Sequence, residues 1–416
     1  MSILMKTANQ LPLKLSLVAT LFALMMPVAS VHAQGVDLNK VPPVNEPAPM
    51  SEADIKAKMK RAKEVKPYNK NDLSFELILP KDWSDNTQPP PIGPSMDQKL
   101  SKTVLSVLGK FVSPPKNLVR SHITIEALDL PYEISAKNWV VNYILTSGFS
   151  LTGMTEKSNK ELEVLYVQVD GDQPYVVRGR AVINGSTLSI IRYYLPQENQ
   201  KEDEALQAQV VNSYTMLSPS KEGIEPQEKY GFLDQSYFNY PASWDLKDKS
   251  ILSIERMSAL LSQVSRREAK DDELFLDGHI KINVISKLLK TTLDEEIATF
   301  RDELIIPGYT LGKMIEKVNY NYNRDIKSGK AQIYELQPSD PVKMSPYEFL
   351  VTVMEGEEYY YIISMVTPSR DQDFLTWAQN IEAARTVIES TRRQSVSIEE
   401  DANDPYYDYL KEEGAQ

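Results

Sequence analysis

Few side chains in this sequence could do chemistry, and those that could are regularly placed. With His32 set aside in the leader described below, two histidines remain. Both precede the same pattern, His122-Ile123-Thr124-Ile125 and His279-Ile280-Lys281-Ile282. A lone imidazole acts as general base or metal ligand only where other groups converge on it. Equivalent placement fits a structural role as well, with the ring at a strand start bonded to a neighbouring backbone group. A hydrolase would need a Ser or carboxylate centre built around His122 or His279, and it is the weakest of the readings. Among the acids, Asp170-Gly171-Asp172 is a turn with two carboxylates, short of the ligands a calcium loop requires. Asp294-Glu295-Glu296 falls in the first turn of a helix, where the dipole favours acids anyway.

The sequence holds no Gly-rich phosphate loop, no His-Glu-x-x-His and no Gly-x-Ser-x-Gly, so it offers no catalytic residue, no cofactor site and no metal site. The absence of cysteine removes disulfides, thiolate metal sites, Cys nucleophiles and lipoprotein acylation. Acids outnumber Lys and Arg by 58 to 46, so the basic footprint of a nucleic-acid binder is missing.

The N-terminus reads as an export signal. Lys6 and Lys14 precede the apolar run Leu15 to Val28, and Val31 and Ala33 suit a signal-peptidase site before Gln34. The run is shorter than the ~20 residues a membrane span needs, which favours cleavage after Ala33 over a retained anchor. Removing residues 1–33 takes away those two lysines and no acid, so the net charge moves from −12 to −14. The expected product is periplasmic or secreted, without stable membrane insertion.

The elements that must position these residues come in two sets. Gly148-Phe149-Ser150-Leu151-Thr152-Gly153-Met154 returns as Gly308-Tyr309-Thr310-Leu311-Gly312-Lys313-Met314. Each copy follows an amphipathic helix, so Gly148 and Gly308 are expected just past the helix end, in left-handed backbone. Upstream, Leu73 to Leu79 runs into Pro80-Lys81-Asp82-Trp83, and Tyr237 to Tyr240 into Pro241-Ala242-Ser243-Trp244. Trp83 and Trp244 are expected to cover the sheet ends. Each half then carries an insert, Leu100 to Phe111 in the first and the helix-like Ile251 to Val264 in the second. A strand begins at each histidine, the helices Glu133 to Thr146 and Leu293 to Ile305 follow, and meander strands turn at Asn184-Gly185 and Glu355-Gly356. Helices at about Glu202 to Met216 and Gln372 to Thr391 close the halves.

This pattern predicts an α+β protein of two tandem α/β/α sandwich domains, each a curved antiparallel sheet flanked by helices. The domains are expected at residues 72–218 and 230–392, joined by a polar linker at 219–229. A Pro-rich tether and a short helix from Ser51 to Val65 fill residues 34–71. Residues 393–416 form an acidic tail in which Tyr406, Tyr407, Tyr409 and Leu410 are interleaved with carboxylates. It reads either as a disordered solubilising segment or as a partner-binding motif with aromatic anchors.

The strand with Pro-x-x-Trp, the helix ending in Gly-aromatic-Ser/Thr, the meander with its Gly turn and the closing helix together resemble the PsbP/Mog1-like α/β/α sandwich. That superfamily includes photosystem assembly factors, a nuclear-transport regulator and many exported bacterial domains. The resemblance implies a non-enzymatic protein and carries no functional residue onto a position here. The function expected is an exported, non-catalytic binding or assembly module acting on an unidentified protein partner. The alternative is a small-molecule or lipid carrier with an apolar cleft between sheet and helices, closed by Leu100 to Phe111 or Ile251 to Val264.

Overall fold

A computed structural model describes residues 38–88, 106–116, 118–233, 235–263, 277–304, 309–338 and 347–393. The chain divides after Asn39, and every strand and α-helix named below lies within residues 40–416, a single compact unit. In chain order these are α1 (Glu52–Lys58), β1 (Met59–Glu64), β2 (Phe75–Pro80), β3 (Ser84–Asp85), β4 (Ser106–Val112), β5 (His122–Asp129), α2 (Ala136–Thr146), β6 (Ser150–Ser158), β7 (Glu161–Asp170), β8 (Gln173–Asn184), β9 (Thr187–Pro196), α3 (Gln200–Asn212) and β10 (Thr215–Met216). The second set is β11 (Gln227–Phe232), β12 (Ser236–Pro241), β13 (Trp244–Ser253), β14 (Arg256–Gln263), β15 (His279–Ser286), α4 (Leu293–Leu304), β16 (Tyr309–Val318), β17 (Ile326–Pro338), β18 (Tyr347–Gly356), β19 (Tyr359–Pro368), α5 (Phe374–Ser390) and β20 (Arg392–Arg393).

Two seven-stranded antiparallel sheets result, ordered β3-β4-β5-β9-β8-β7-β6 and β13-β14-β15-β19-β18-β17-β16. With their helices they make the fold α+β, and the two orders are the same topology. Each lobe also has a small three-stranded sheet, β1-β2-β10 or β11-β12-β20. In both, the strand that opens the repeat pairs with the short strand that follows the closing helix.

Alternation decides which face each strand buries. Ile123, Ile125, Ala127, Ile191, Tyr193 and Leu195 point towards α3 and the β1-β2-β10 layer and form one core. The opposite face, with Val164, Tyr166, Val177 and Ile190, packs under α2. That second core does not stop at the first lobe. It continues through Ile224 to Phe238, Trp244, Ile282 and the α5 residues Ile381 and Ala384. The α2 side of the first lobe thus meets the α5 side of the second.

Four sequence expectations need correction. The helix opening at Ser51 ends at Lys58, and Met59–Glu64 is a strand paired with β2. Ile55, Met59 and Ala62 mimic helical spacing, but β2 offers a ladder that outweighs this thin stripe. Of the stretch Ile251 to Val264 the described part, residues 251–263, lies in β13 and β14, a hairpin rather than a helix; Val264 lies outside the described residues. Met257, Ala259 and Leu261 alternate into the core, a period of two that the Leu260-Leu261 pair masks. In the first insert, Ser106–Val112 is a sheet strand, its alternation broken by a bulge between Val107 and Gly109. The stretch expected as a linker is itself packed: Ile224 is buried, and the Glu225 carboxylate accepts from the Glu133 and Ser243 amides at 3.0 and 3.1 Å.

Candidate functional site

The repeated stretch caps its helix in the first lobe. Gly148 has φ +71°, its amide donates to Leu145, and the Phe149 amide reaches back to the Ile144 carbonyl at 3.0 Å. These are the two bonds of a Schellman motif. Phe149 is half-buried, with its ring 5.5 Å from Tyr166 and 6.1 Å from Tyr143. Gly308 lies outside the described residues. So do residues 1–33 and the tail anchors Tyr406, Tyr407, Tyr409 and Leu410. In the second copy Leu311 is exposed, whereas Leu151 at the matching position of β6 packs against the core. Trp83 and Trp244 are both buried; Trp83 stands 5.3 Å from the Tyr193 ring. Gly278 lets Trp244 and Asn380 close over the start of β15, since a Cβ there would lie 2.9 Å and 2.7 Å from them.

The two histidines occupy equivalent first positions of β5 and β15 but different surroundings. His122 stacks on Tyr194 at 4.3 Å, with Tyr175 edge-on at 5.6 Å. Burial, with Lys110 adding to it, pushes its pKa down to about 4. His279 is also pushed down by burial, yet its cross-strand neighbour is Val366. Beside His122, the guanidinium of Arg192 binds Glu126 and donates to the Tyr143 hydroxyl at 2.5 Å. It also lies over the Tyr143 and Tyr194 rings. Burial raises the Glu126 carboxyl above the usual range, and Arg192 limits the rise. The positions equivalent to Glu126, Arg192 and Tyr194, read from the strand register, are Asn283, Ser364 and Val366. This polar cluster belongs to the first lobe alone. It is held by its own ion pair and ring contacts, and among the described residues no group of three or more His, Cys, Asp or Glu side chains is placed to hold a metal ion.

Two surfaces are shaped for a larger or softer ligand. A cleft of about 480 Å³ opens between β1, β2 and β4, with Tyr68, Phe75, Leu108 and Phe111 in its wall. Tyr68 ties its two sides together through a hydroxyl bond to the Val107 carbonyl at 2.8 Å. Lys66, Tyr68 and Asn69 all take positive φ in the adjoining turn, a strained backbone of the kind found at binding sites. The cleft lies between sheet and small sheet, not between sheet and helices.

The second surface is the loop end of the second sheet. The Ser286 amide bonds to Glu255 and the Lys287 amide to Glu358, both at 2.8 Å, so three loops are locked together there. Ile254, Leu288 and Leu289 are exposed on them, Leu288 by 81%. Lys287 pairs with Glu355 at 2.6 Å beside them. In the first lobe the equivalent loop begins at Leu130, whose amide bonds to Ser186 in the same way. There Leu130 and Ile134 are buried in the core that runs on into the second lobe. Only the assembled fold brings residues 254, 288 and 358 together, so no local sequence signal marks this surface.

No protein-family model matches the chain, and no curated protein matches it. Among solved structures it is similar to a cyanobacterial PsbP from Synechocystis sp. PCC 6803, at 12% identity and a TM-score of 0.28, over 41% of this chain and 98% of that one. It is similar to LpqN of Mycobacterium tuberculosis, a protein involved in cell envelope biogenesis, at 10% identity and a TM-score of 0.25, over 41% and 98%. The immunity protein TplEi of the type VI secretion system of Pseudomonas aeruginosa is similar at 13% identity and a TM-score of 0.19, over 78% of this chain and 95% of that one.

Proposed function

We propose that the protein is an exported, non-catalytic binding or assembly module that works through protein–protein contacts in the bacterial periplasm. The observation that carries this reading is the open loop end of the second sheet. The first lobe buries Leu130 and Ile134 of the equivalent loop in the core shared with its neighbour, whereas the second leaves Ile254, Leu288 and Leu289 exposed. Exposed apolar groups gathered on a rigid rim favour a protein surface as partner. A small molecule needs a concavity that covers most of it, and loop tips do not supply one. Export rests on the Leu15 to Val28 run and the Ala33-Gln34 junction.

Affinity capture from a periplasmic extract tests the proposal, using the parent protein and an Ile254→Asp/Leu288→Asp variant. The expected result is a partner held by the parent and lost from a variant whose melting is unchanged. Equal recovery from both proteins, or none from either, would sink the reading. The cleft beside Tyr68, walled by Phe75, Leu108 and Phe111 and by the polar Lys63, Glu64, Asp85 and Gln88, supports a second reading, a small-molecule or lipid carrier. Native mass spectrometry of protein from its own host should then show a retained ligand, and a clean apo mass argues against it.

A further inference from the structure

The first sheet ends in the edge strand β6, and the chain covers that edge with a short segment from its N-terminal side. The Met154 amide donates to the Pro42 carbonyl at 2.9 Å, and the Val44 amide donates to the Thr155 hydroxyl at 2.9 Å. Val44 is buried and seated against Gly153, where a Cβ would lie 3.4 Å from the Val44 Cα and 3.6 Å from its Cγ2. One residue on, the Asn45 carbonyl accepts from Arg178 at 2.6 Å. The edge thus reads four features of a short segment: two carbonyls, one amide and one branched side chain. Position 43 needs no amide, and proline stands there, its fixed φ restraining the segment before it docks.

The hold is light. Among the described residues from 40 to 51, Val44 alone is buried, and the segment stays outside the seven-strand ladder. The groove beneath is costly to leave open. Arg178 and Glu163 pair at 2.7 Å with side chains only 2% exposed, and the Arg178 Nε has no partner among the described residues. Losing the Asn45 carbonyl would leave a second guanidinium nitrogen without an acceptor in the interior. Such a groove favours exchange of one occupant for another over vacancy. Read from the strand register, the equivalents of Arg178 and Glu163 in the second lobe are Leu350 and Ala331, both buried and apolar. The arrangement belongs to the first lobe.

We propose that the β6 edge is an acceptor groove for an extended segment of a partner protein, occupied by residues 42–45 until that segment displaces them. Exposed sheet edges take up peptides in this way, main-chain bonds giving affinity and a side-chain seat giving specificity. The segment that fits has a β-branched apolar residue flanked by two usable carbonyls, with proline tolerated just before it. Glu163 already balances the charge of Arg178, so a neutral carbonyl suits that position better than a second carboxylate. The groove lies on the first lobe, so binding here and binding at the loop end of the second sheet can succeed or fail separately.

A labelled synthetic peptide of residues 40–47 stands in for the partner segment, and fluorescence anisotropy reads its binding to the full chain. The parent is compared with Val44→Asp, which unseats the strap, and with Val44→Thr, which keeps the shape but sets a hydroxyl in the seat. The peptide should bind Val44→Asp at least about tenfold more tightly than the parent, where the tethered strap competes at high effective concentration. Val44→Thr should show a smaller gain in the same direction, and it decides the matter if Val44→Asp does not fold. Bound peptide should also slow hydrogen exchange at the Met154 amide of the variants towards the parent rate, and a peptide carrying the Val44→Asp change should not bind. Equal binding to all three proteins, or none to any, overturns the proposal. Dimers of the parent that Val44→Asp abolishes also overturn it, because a second copy would then fill the groove.

Discussion

His122 is the residue whose chemistry pH will expose. Burial and the nearby Lys110 hold its pKa at about 4 against 6.5 for a free ring, with Asp170 opposing and Arg192 reinforcing the shift. The neutral ring is therefore the folded form, and the unfolded chain takes up its proton at higher pH. The stability that follows is complete above about pH 6.5 and is lost as pH falls towards 4, by up to ~3 kcal/mol. Glu126, Glu133 and Glu382 are raised by burial, so their contributions run the other way. The comparison must be differential. His122→Phe keeps the stacking on Tyr194 and cannot titrate. Urea midpoints for parent and variant should lie closest near pH 7 and move apart as pH falls towards 4, the parent alone losing stability, and a constant gap would show that the ring does not titrate in this window. The sequence marks His122 and the helix-capping Gly148 because each sits in a repeated local pattern. Arg192 and Glu126 lie 66 residues apart, and only the sheet register joins them.

At the scale of elements, that pair joins β5 to β9, and Arg192 ties them to α2 through the Tyr143 hydroxyl. The side chains of Arg192 and Glu126 are almost out of water, so removing one partner leaves a buried charge alone. Arg192→Met should cost about 3–5 kcal/mol, and adding Glu126→Gln should recover a substantial part, because the stranded carboxylate is then gone. A double-mutant cycle by chemical denaturation measures this; strict additivity of the two changes would mean the groups do not interact. Helices α2, α3, α4 and α5 all lie near their sequence positions, since each carries a long apolar period and a clear stop. The hairpin of β13 and β14 was hidden by two adjacent leucines, and β1 by a helical spacing of three apolar residues. In both, cross-strand pairing decides the structure, and a local pattern does not report it.

For the whole molecule, the question is whether the two repeats unfold as one. The polar stretch at 219–229 suggests two independent domains. The structure leads to a different expectation, because one apolar core runs from Val164 and Trp139 through Ile224 to Trp244 and Ile381. Polar links reinforce it: the buried Glu382 on α5 accepts from Asn159 of the first lobe at 2.7 Å, and the Glu133 carboxylate accepts from the Ile224 amide at 3.1 Å. Gly148→Val is a clean probe. No atom lies within 4 Å of where its Cβ would stand, so the substitution acts through backbone strain alone, about 1–3 kcal/mol. Spread over a cooperative unit of roughly 350 residues, that cost lowers Tm by only about 1–4 °C. Confined to one lobe of roughly 150 residues, the same cost would move that lobe by about 3–10 °C and leave the other in place. Calorimetry should show a single endotherm for parent and variant, shifted by the smaller amount. Two endotherms, with only one displaced, would mean that the shared core does not couple the lobes.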